Sequence, residues 1–230
     1  MKKQTSKKTA GRTGRKTKRG REGNQIRKLN LLLILAAAIG LLLFAARIFL
    51  PGQTIRMSND PTNISDSVME YRDTVEFYAE KNGISEYTDY LLAIMQVETG
   101  GRGDDVMQSS ESLGLPPGSL KPEDSIAQGC SYFAEILGDA EKKGCDLDAA
   151  IQAYNFGIDY LDFAAKRGGD SDLTMATEFA EWKSGGETTE YSSELAREVN
   201  GGWRYKYGNM FYAELVKKIV ENINDNRRES

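Results

Sequence analysis

The chain has 230 residues, enough for one or two domains, and it contains no histidine. That excludes Ser-His-Asp and Cys-His catalysis and removes the commonest metal ligand, so acid–base chemistry falls to carboxylates, tyrosine or lysine. The formal net charge of -4 hides an asymmetry, because residues 1–28 carry twelve Lys/Arg against the single Glu22 and the acidic excess lies downstream.

Residues 1–28 have no aromatic side chain to stack on a base and no helical or strand period. They read as a basic cytoplasmic tail facing anionic lipid, and no nucleic-acid partner is expected. Residues 29–50 form an apolar run with no polar residue from Leu31 to Ala46. About 20 such residues suffice to cross a bilayer as a helix. The preceding positive charge orients that helix with its N-terminus in the cytoplasm and everything after Pro51 outside. A cleaved signal peptide fits poorly, since a cut after Ala46 or Ala45 would place Phe44 or Leu43 where a small residue is needed. The expected location is therefore the cell membrane, single-pass, with the bulk of the chain extracellular. Residues 51–65 are rich in Pro, Gly, Asn and Ser and read as a linker.

Residues 66–225 read as one mainly α domain, large enough to bury a core without disulfides. Ser65 or Asp66 caps a first helix carrying Val68, Tyr71, Val75 and Tyr78 on one face and ending at Gly83. Ser85 caps the next, in which Leu91, Ile94 and Met95 form an apolar stripe. Glu98 lies seven, four and three residues further on and projects from that stripe. A carboxylate there is either solvated at the helix end or buried. If buried, it is pushed toward its protonated form, which is what a general acid requires. The loop from Gly100 to Ser112 is dense in Gly, Asp and Ser; it is either a surface turn or a binding loop.

Glu123 or Asp124 begins a helix through Ile126, Cys130, Phe133 and Leu137 to Lys143, with Gly144 as its stop. A continuous helix separates Cys130 from Cys145 by about 20 Å, beyond disulfide reach, so two free thiols are expected unless the helix breaks at Gly138. Two cysteines without histidine also make no zinc site; neither metal nor cofactor is expected. Asp146 or Asp148 caps a further helix ending Ala153-Tyr154-Asn155-Phe156-Gly157. No segment alternates over a strand's length, which again points to a mainly α domain.

Three motifs occur in a telling order: a helix ending Glu98-Thr99-Gly100-Gly101, then Val106-Met107-Gln108-Ser109-Ser110-Glu111-Ser112, then Ala153-Tyr154-Asn155-Phe156-Gly157. This resembles the goose-type lysozyme and soluble lytic transglycosylase superfamily, where an E-S-G-G-like helix end, an M-Q loop and an A-Y-N-x-G helix end recur in that order. Within it, the motifs are similar to those of the bacterial lysozyme-like muramidase domains of Gram-positive cell-wall hydrolases. The likeness runs from about Val68 to Val220 and includes Tyr207-Gly208-Asn209 with Tyr212. The segment from Gly168 to Gly202 departs from the pattern.

The resemblance implies a lysozyme-like helical domain acting on peptidoglycan glycan strands. Glu98 matches the catalytic acid, with Thr99 in place of the usual serine. Asp105 looks like the second carboxylate, with Asp104 as its neighbour and rival. Met107 and Gln108 match the cleft floor, Ser109, Ser110 and Glu111 extend that loop toward substrate, and Tyr154, Asn155 and Tyr207 line the cleft. The implied reaction is cleavage of the MurNAc–GlcNAc β-1,4 bond by hydrolysis, with Asp105 on the attacking water. The alternatives are lytic transglycosylation to 1,6-anhydro products, or a non-catalytic glycan-binding or envelope-scaffold module.

Overall fold

The computed structural model of the chain describes residues 63–229, so the basic tail, the 29–50 span and most of the 51–65 linker lie outside the described residues. No helix among the described residues is long and apolar enough to cross a membrane. The described part is mainly helical, and its elements are arranged around one buried helix.

Ser65 caps α1 (Asp66–Met69), its hydroxyl accepting from the Val68 amide. The chain then breaks at Glu70 and Tyr71 before α2 (Arg72–Lys81), so the single first helix expected from periodicity is two. A tertiary contact accounts for the break. The Ser65 amide donates to Gln96 Oε1 at 2.8 Å and its hydroxyl to the Gly100 carbonyl at 3.1 Å, which docks α1 against the end of α3 (Thr88–Glu98). Val75 and Ala79 of α2 face the core instead.

A 3-10 turn at Ser85–Tyr87 leads into α3. Its residues Leu91 to Met95 are all fully buried, so the helix is enclosed on every side rather than along one stripe. The long α4 (Pro122–Lys143) starts with proline at its first turn and ends on Gly144 in the left-handed conformation. It runs unbroken through Gly138, leaving Cys130 buried and Cys145 half-buried, both free. Asp146 caps α5 (Leu147–Phe156) by accepting from the Ala149 amide. The last helix, α9 (Tyr212–Glu229), turns Leu215, Val216, Ile219 and Val220 inward and lies against α3 and α5.

After α6 (Asp159–Ala165), residues 168–202 hold α7 (Leu173–Ser184) and α8 (Glu194–Asn200). Beside the helices the domain holds one short sheet among the described residues. Strand β1 (Thr188–Glu190) pairs antiparallel with β2 (Trp203–Tyr205), Thr189 facing Arg204. Three residues are too few to show alternation, and α8 separates the partners in sequence. The ladder is extended by Lys206 donating to the Glu187 carbonyl, and this delivers Tyr207 to Asn209 against α5.

The α1–α3 contact also explains Gly101. Its φ is +73°, and an added Cβ would lie 2.7 Å from the Ser67 carbonyl carbon and oxygen. Gly101→Ala is expected to lower stability by more than about 2 kcal/mol, from left-handed strain and a backbone clash together, measured by urea denaturation.

Candidate active site

Glu98 closes α3, and the chain leaves it through Gly100 and Gly101, both with positive φ. Thr99 locks this exit: its hydroxyl donates to the Val106 carbonyl at 2.6 Å and accepts from the Gly101 amide at 3.2 Å. The Glu98 carboxyl is half-buried, and Tyr212 at the head of α9 donates its hydroxyl to Oε1 at 2.7 Å. Burial pushes the Glu98 carboxyl up to about 7; the Tyr212 hydrogen bond pulls the other way, and the charges of Asp105 and Glu111 add to the rise. Glu98 is thus held in both protonation states near neutrality.

Tyr212 is itself fixed. Its buried ring stacks on Tyr154 of α5 at 6.5 Å and 9°. The Tyr154 hydroxyl in turn donates to the Met107 carbonyl at 3.1 Å. Burial, then the nearby Glu98 charge, raises both phenols well above their ordinary range, so both remain donors. One chain of contacts therefore joins the acid to two helices and to the loop that follows it.

That loop is organised by Asp105, which is only 2% exposed. Its Oδ1 accepts from the Ser109 amide at 3.0 Å and the Ser125 hydroxyl at 2.6 Å. Its Oδ2 accepts from the Ser110 amide at 3.2 Å, the Gly118 amide at 3.3 Å and the Ser110 hydroxyl. Burial opposes ionisation of Asp105, but the hydrogen bonds from Ser110 and Ser125 and from the loop backbone outweigh it and hold the carboxyl below its ordinary value. A carboxylate offers about four acceptor sites, and here all are taken. Between Asp105 and Ser109, Gln108 has φ +48°, unique among the described non-glycine residues. A left-handed non-glycine residue costs about 1 kcal/mol or more and persists only where its surroundings hold it. Here both the backbone and side-chain amides of Gln108 donate to the Asp105 carbonyl, each at 3.0 Å.

The opposite wall comes from α5 and the segment after the hairpin. Asn155 Oδ1 accepts from the Asn209 amide at 2.6 Å, and the Tyr207 hydroxyl donates to the Phe156 carbonyl at 2.8 Å. Gly208 passes so close that a Cβ would lie 2.6 Å from Asn155 Oδ1. Gln152 ties the same turn to α9, donating to the Asn209 carbonyl and accepting from the Ala213 amide.

The model of a family described as lysozyme-like matches residues 65–220, which include Glu98, the loop after it and the wall of Tyr and Asn. The chain belongs to the lysozyme-like family. It is 34% identical over 165 residues to the uncharacterized membrane protein YocA of Bacillus subtilis (strain 168), covering 71% of this chain and 73% of YocA. It is 35% identical over 174 residues to the bifunctional muramidase/DL-endopeptidase CwlT of the same organism, covering 70% of this chain and 52% of CwlT. A crystal structure of a protein similar to a lipoprotein, NLP/P60 family, from Staphylococcus aureus subsp. aureus Mu50 superposes with a TM-score of 0.68 at 48% identity. That match covers 69% of this chain and 54% of the other, so this chain corresponds to about half of CwlT and of the staphylococcal protein.

Within this lysozyme-like domain the residues singled out by sequence fall into two groups. Glu98, Asn155 and Tyr207 are partly open, and Gln108 and Glu111 are exposed. Met107, Ser109, Ser110 and Tyr154 are buried. Ser109 and Ser110 were expected to extend toward substrate; instead the Ser109 hydroxyl donates to the Ser125 carbonyl at 2.9 Å and the Ser110 hydroxyl to Asp105. Met107 packs under the loop against Gly129, where a Cβ would lie 2.6 Å from its sulfur. Asp105 was expected on the attacking water, but its lone pairs are spent on the loop. Sequence reasoning gave no role to Tyr212, Ser125 or Tyr132, whose ring lies 5.5 Å from Tyr154. Tyr212 had one usable signal, a tyrosine at the head of an amphipathic helix within a recognised segment.

Two stability measurements check this geometry. Asp105→Asn replaces a five-donor acceptor by a group that is half donor, and is expected to lose about 2–4 kcal/mol by urea denaturation. Glu98 has the opposite sign. Between its ordinary value of 4.5 and about 7 the folded state keeps a proton that the unfolded chain releases, so stability falls as pH rises through that window. Glu98→Gln is therefore expected to be more stable than wild type at pH 8, by up to about 3 kcal/mol, with the difference vanishing below pH 4.5.

Proposed function

We propose that this chain is a membrane-anchored peptidoglycan hydrolase that cleaves the MurNAc–GlcNAc β-1,4 bond with Glu98 as general acid, an N-acetylmuramidase. The observation that carries the reading is the Glu98 carboxyl, raised to about 7 by burial and held in place by Tyr212. A general acid works best when its pKa lies near the working pH. Membership of the lysozyme-like family and similarity to CwlT, named a muramidase/DL-endopeptidase, support the substrate class.

Protonated Glu98 gives its proton to the leaving glycosidic oxygen as positive charge develops at the muramyl C1. Asp105 supplies a fixed negative charge that favours the proton on Glu98, and it holds the loop. Gln108, Glu111, Asn155 and Tyr207 face the sugar chain. Asn155 spends its oxygen on Asn209 and keeps its amide N–H groups for substrate. The basic residues 1–28 and the apolar 29–50 span tether the 66–225 domain on the wall side of the membrane, with 51–65 as the spacer. YocA being named a membrane protein supports that placement.

The saturation of Asp105 favours a second reading, lytic transglycosylation. There the muramyl 6-hydroxyl attacks, and one carboxyl serves as acid and base. Product analysis separates the two: mass spectrometry shows reducing muramic ends for hydrolysis and 1,6-anhydro ends for transglycosylation. With the full-length chain on purified peptidoglycan, Glu98→Gln is expected to lower turnover by about 100-fold or more. Equal clearing by wild type and variant would falsify the assignment. Wild-type kcat/KM is expected to fall above about pH 7, where Glu98 loses its proton.

A further inference from the structure

We propose that Arg204 binds a carboxylate of the stem peptide carried by the muramyl residue in the cleft, and so makes the protein prefer peptide-bearing strands; the inference rests on the peptidoglycan reading above. Arg204 stands on β2, opposite Thr189 of β1. Two contacts join it to the wall of the cleft. Its Nη1 donates to the Gly208 carbonyl, and Gly208 passes so close to Asn155 that a Cβ would lie 2.6 Å from Oδ1. Its guanidinium carbon also lies 5.4 Å from the centroid of the Tyr191 ring. The Tyr191 hydroxyl accepts from Asn209 Nδ2 at 3.0 Å, and the Asn209 amide donates to Asn155 Oδ1 at 2.6 Å. Tyr191 stacks on Phe211 at 6.0 Å, one residue before the tyrosine that holds Glu98. The guanidinium is therefore fixed to the same turn that fixes Asn155.

Its charge has no counterpart in the protein. Among the described residues every other half-buried cation has a carboxylate: Arg72 has Glu76 and Asp89, Lys183 has Asp159, and Lys217 has Asp148 and Glu214. Arg204 is half-buried and has none. Burial pulls its pKa down, and Tyr191 is the group that opposes the pull. Covering a cation without an anion is unfavourable, and a bound anion offsets the loss of solvation. The donors to receive one are open. A guanidinium carries five N–H groups, and the Gly208 carbonyl engages only Nη1. No buried side-chain nitrogen among the described residues lacks a partner, so the Arg204 nitrogens that have none reach solvent.

A fixed guanidinium with open N–H groups suits a planar carboxylate, which it grips through two parallel hydrogen bonds. The glycan strand is neutral where its lactyl groups are amide-linked to peptide. The free carboxylates lie on the stem that branches from the muramyl residue, whose glycosidic bond Glu98 is placed to protonate. The phosphodiesters of teichoic acid offer an oxyanion from another source, and the experiment separates the two.

The test uses the full-length chain on peptidoglycan stripped of teichoic acid, before and after its carboxylates are converted to primary amides. Cleavage by wild type and its loss in Glu98→Gln decide the peptidoglycan reading by themselves. On that footing, amidation is expected to lower wild-type kcat/KM by about 10-fold or more, chiefly through KM. Arg204→Gln is expected to show that loss on the unmodified polymer and no further loss on the amidated one. An Arg204 that only supported the Gly208 turn would, when replaced, lower turnover equally on both polymers. The proposal is overturned by that equal loss, by a wild type that cleaves both polymers alike, or by a wild-type preference seen only on walls that keep their teichoic acid. The wild-type comparison needs no variant, so it decides the matter even where Arg204→Gln fails to fold.

Discussion

The structure depends on one hydrogen bond made at a cost: the Tyr212 hydroxyl donating to a Glu98 carboxyl that burial has pushed toward its protonated form. A half-buried carboxyl without a cation is unfavourable wherever it ionises. The domain keeps it because α3 is enclosed on all sides, so its last turn cannot swing out to solvent. Tyr212 opposes the rise without abolishing it, and the balance leaves a carboxyl that gives and takes a proton near neutrality. The stack of Tyr212 on Tyr154, and the bond from Tyr154 to Met107, then make the position of the acid a property of three elements together.

Asp105 and Glu98 illustrate two opposite uses of a buried carboxylate. Glu98 has one donor and a raised pKa. Asp105 has five donors and a lowered one. Burial pushes both upward, and the hydrogen-bond inventory decides the sign. A carboxylate with every lone pair taken holds structure, whereas one left short of partners is available for chemistry. The serines around Asp105 follow from this. Ser109, Ser110 and Ser125 supply donors that a buried anion requires, and their burial has the same cause.

The hairpin shows how a segment with no alignment signal contributes to a site. Residues 168–202 form two helices and a strand, and their pairing with Trp203–Tyr205 sets where Tyr207 and Asn209 meet Asn155. Gly208 is required there because nothing larger fits against Asn155.

The sequence by itself determined a mainly helical domain, the end of α3 at Glu98, a cap at Asp146 or Asp148, and the placing of Glu98 on an apolar face; the structure then chose Asp146 and ran α4 unbroken through Gly138. What the sequence determined is local: helical periodicity repeats every three or four residues, and caps act within one turn. The absence of histidine likewise left carboxylates as the natural acids. Only the tertiary structure decided that the first helix is two, that a short sheet exists, that Ser109 and Ser110 point inward, and that Asp105 is closed to solvent. Tyr212 meets Glu98 across 114 residues, and Ser125 meets Asp105 across 20. Hydrogen bonds between distant residues leave no periodic trace in a single chain, because the partner is chosen by how helices pack and not by what lies a turn away.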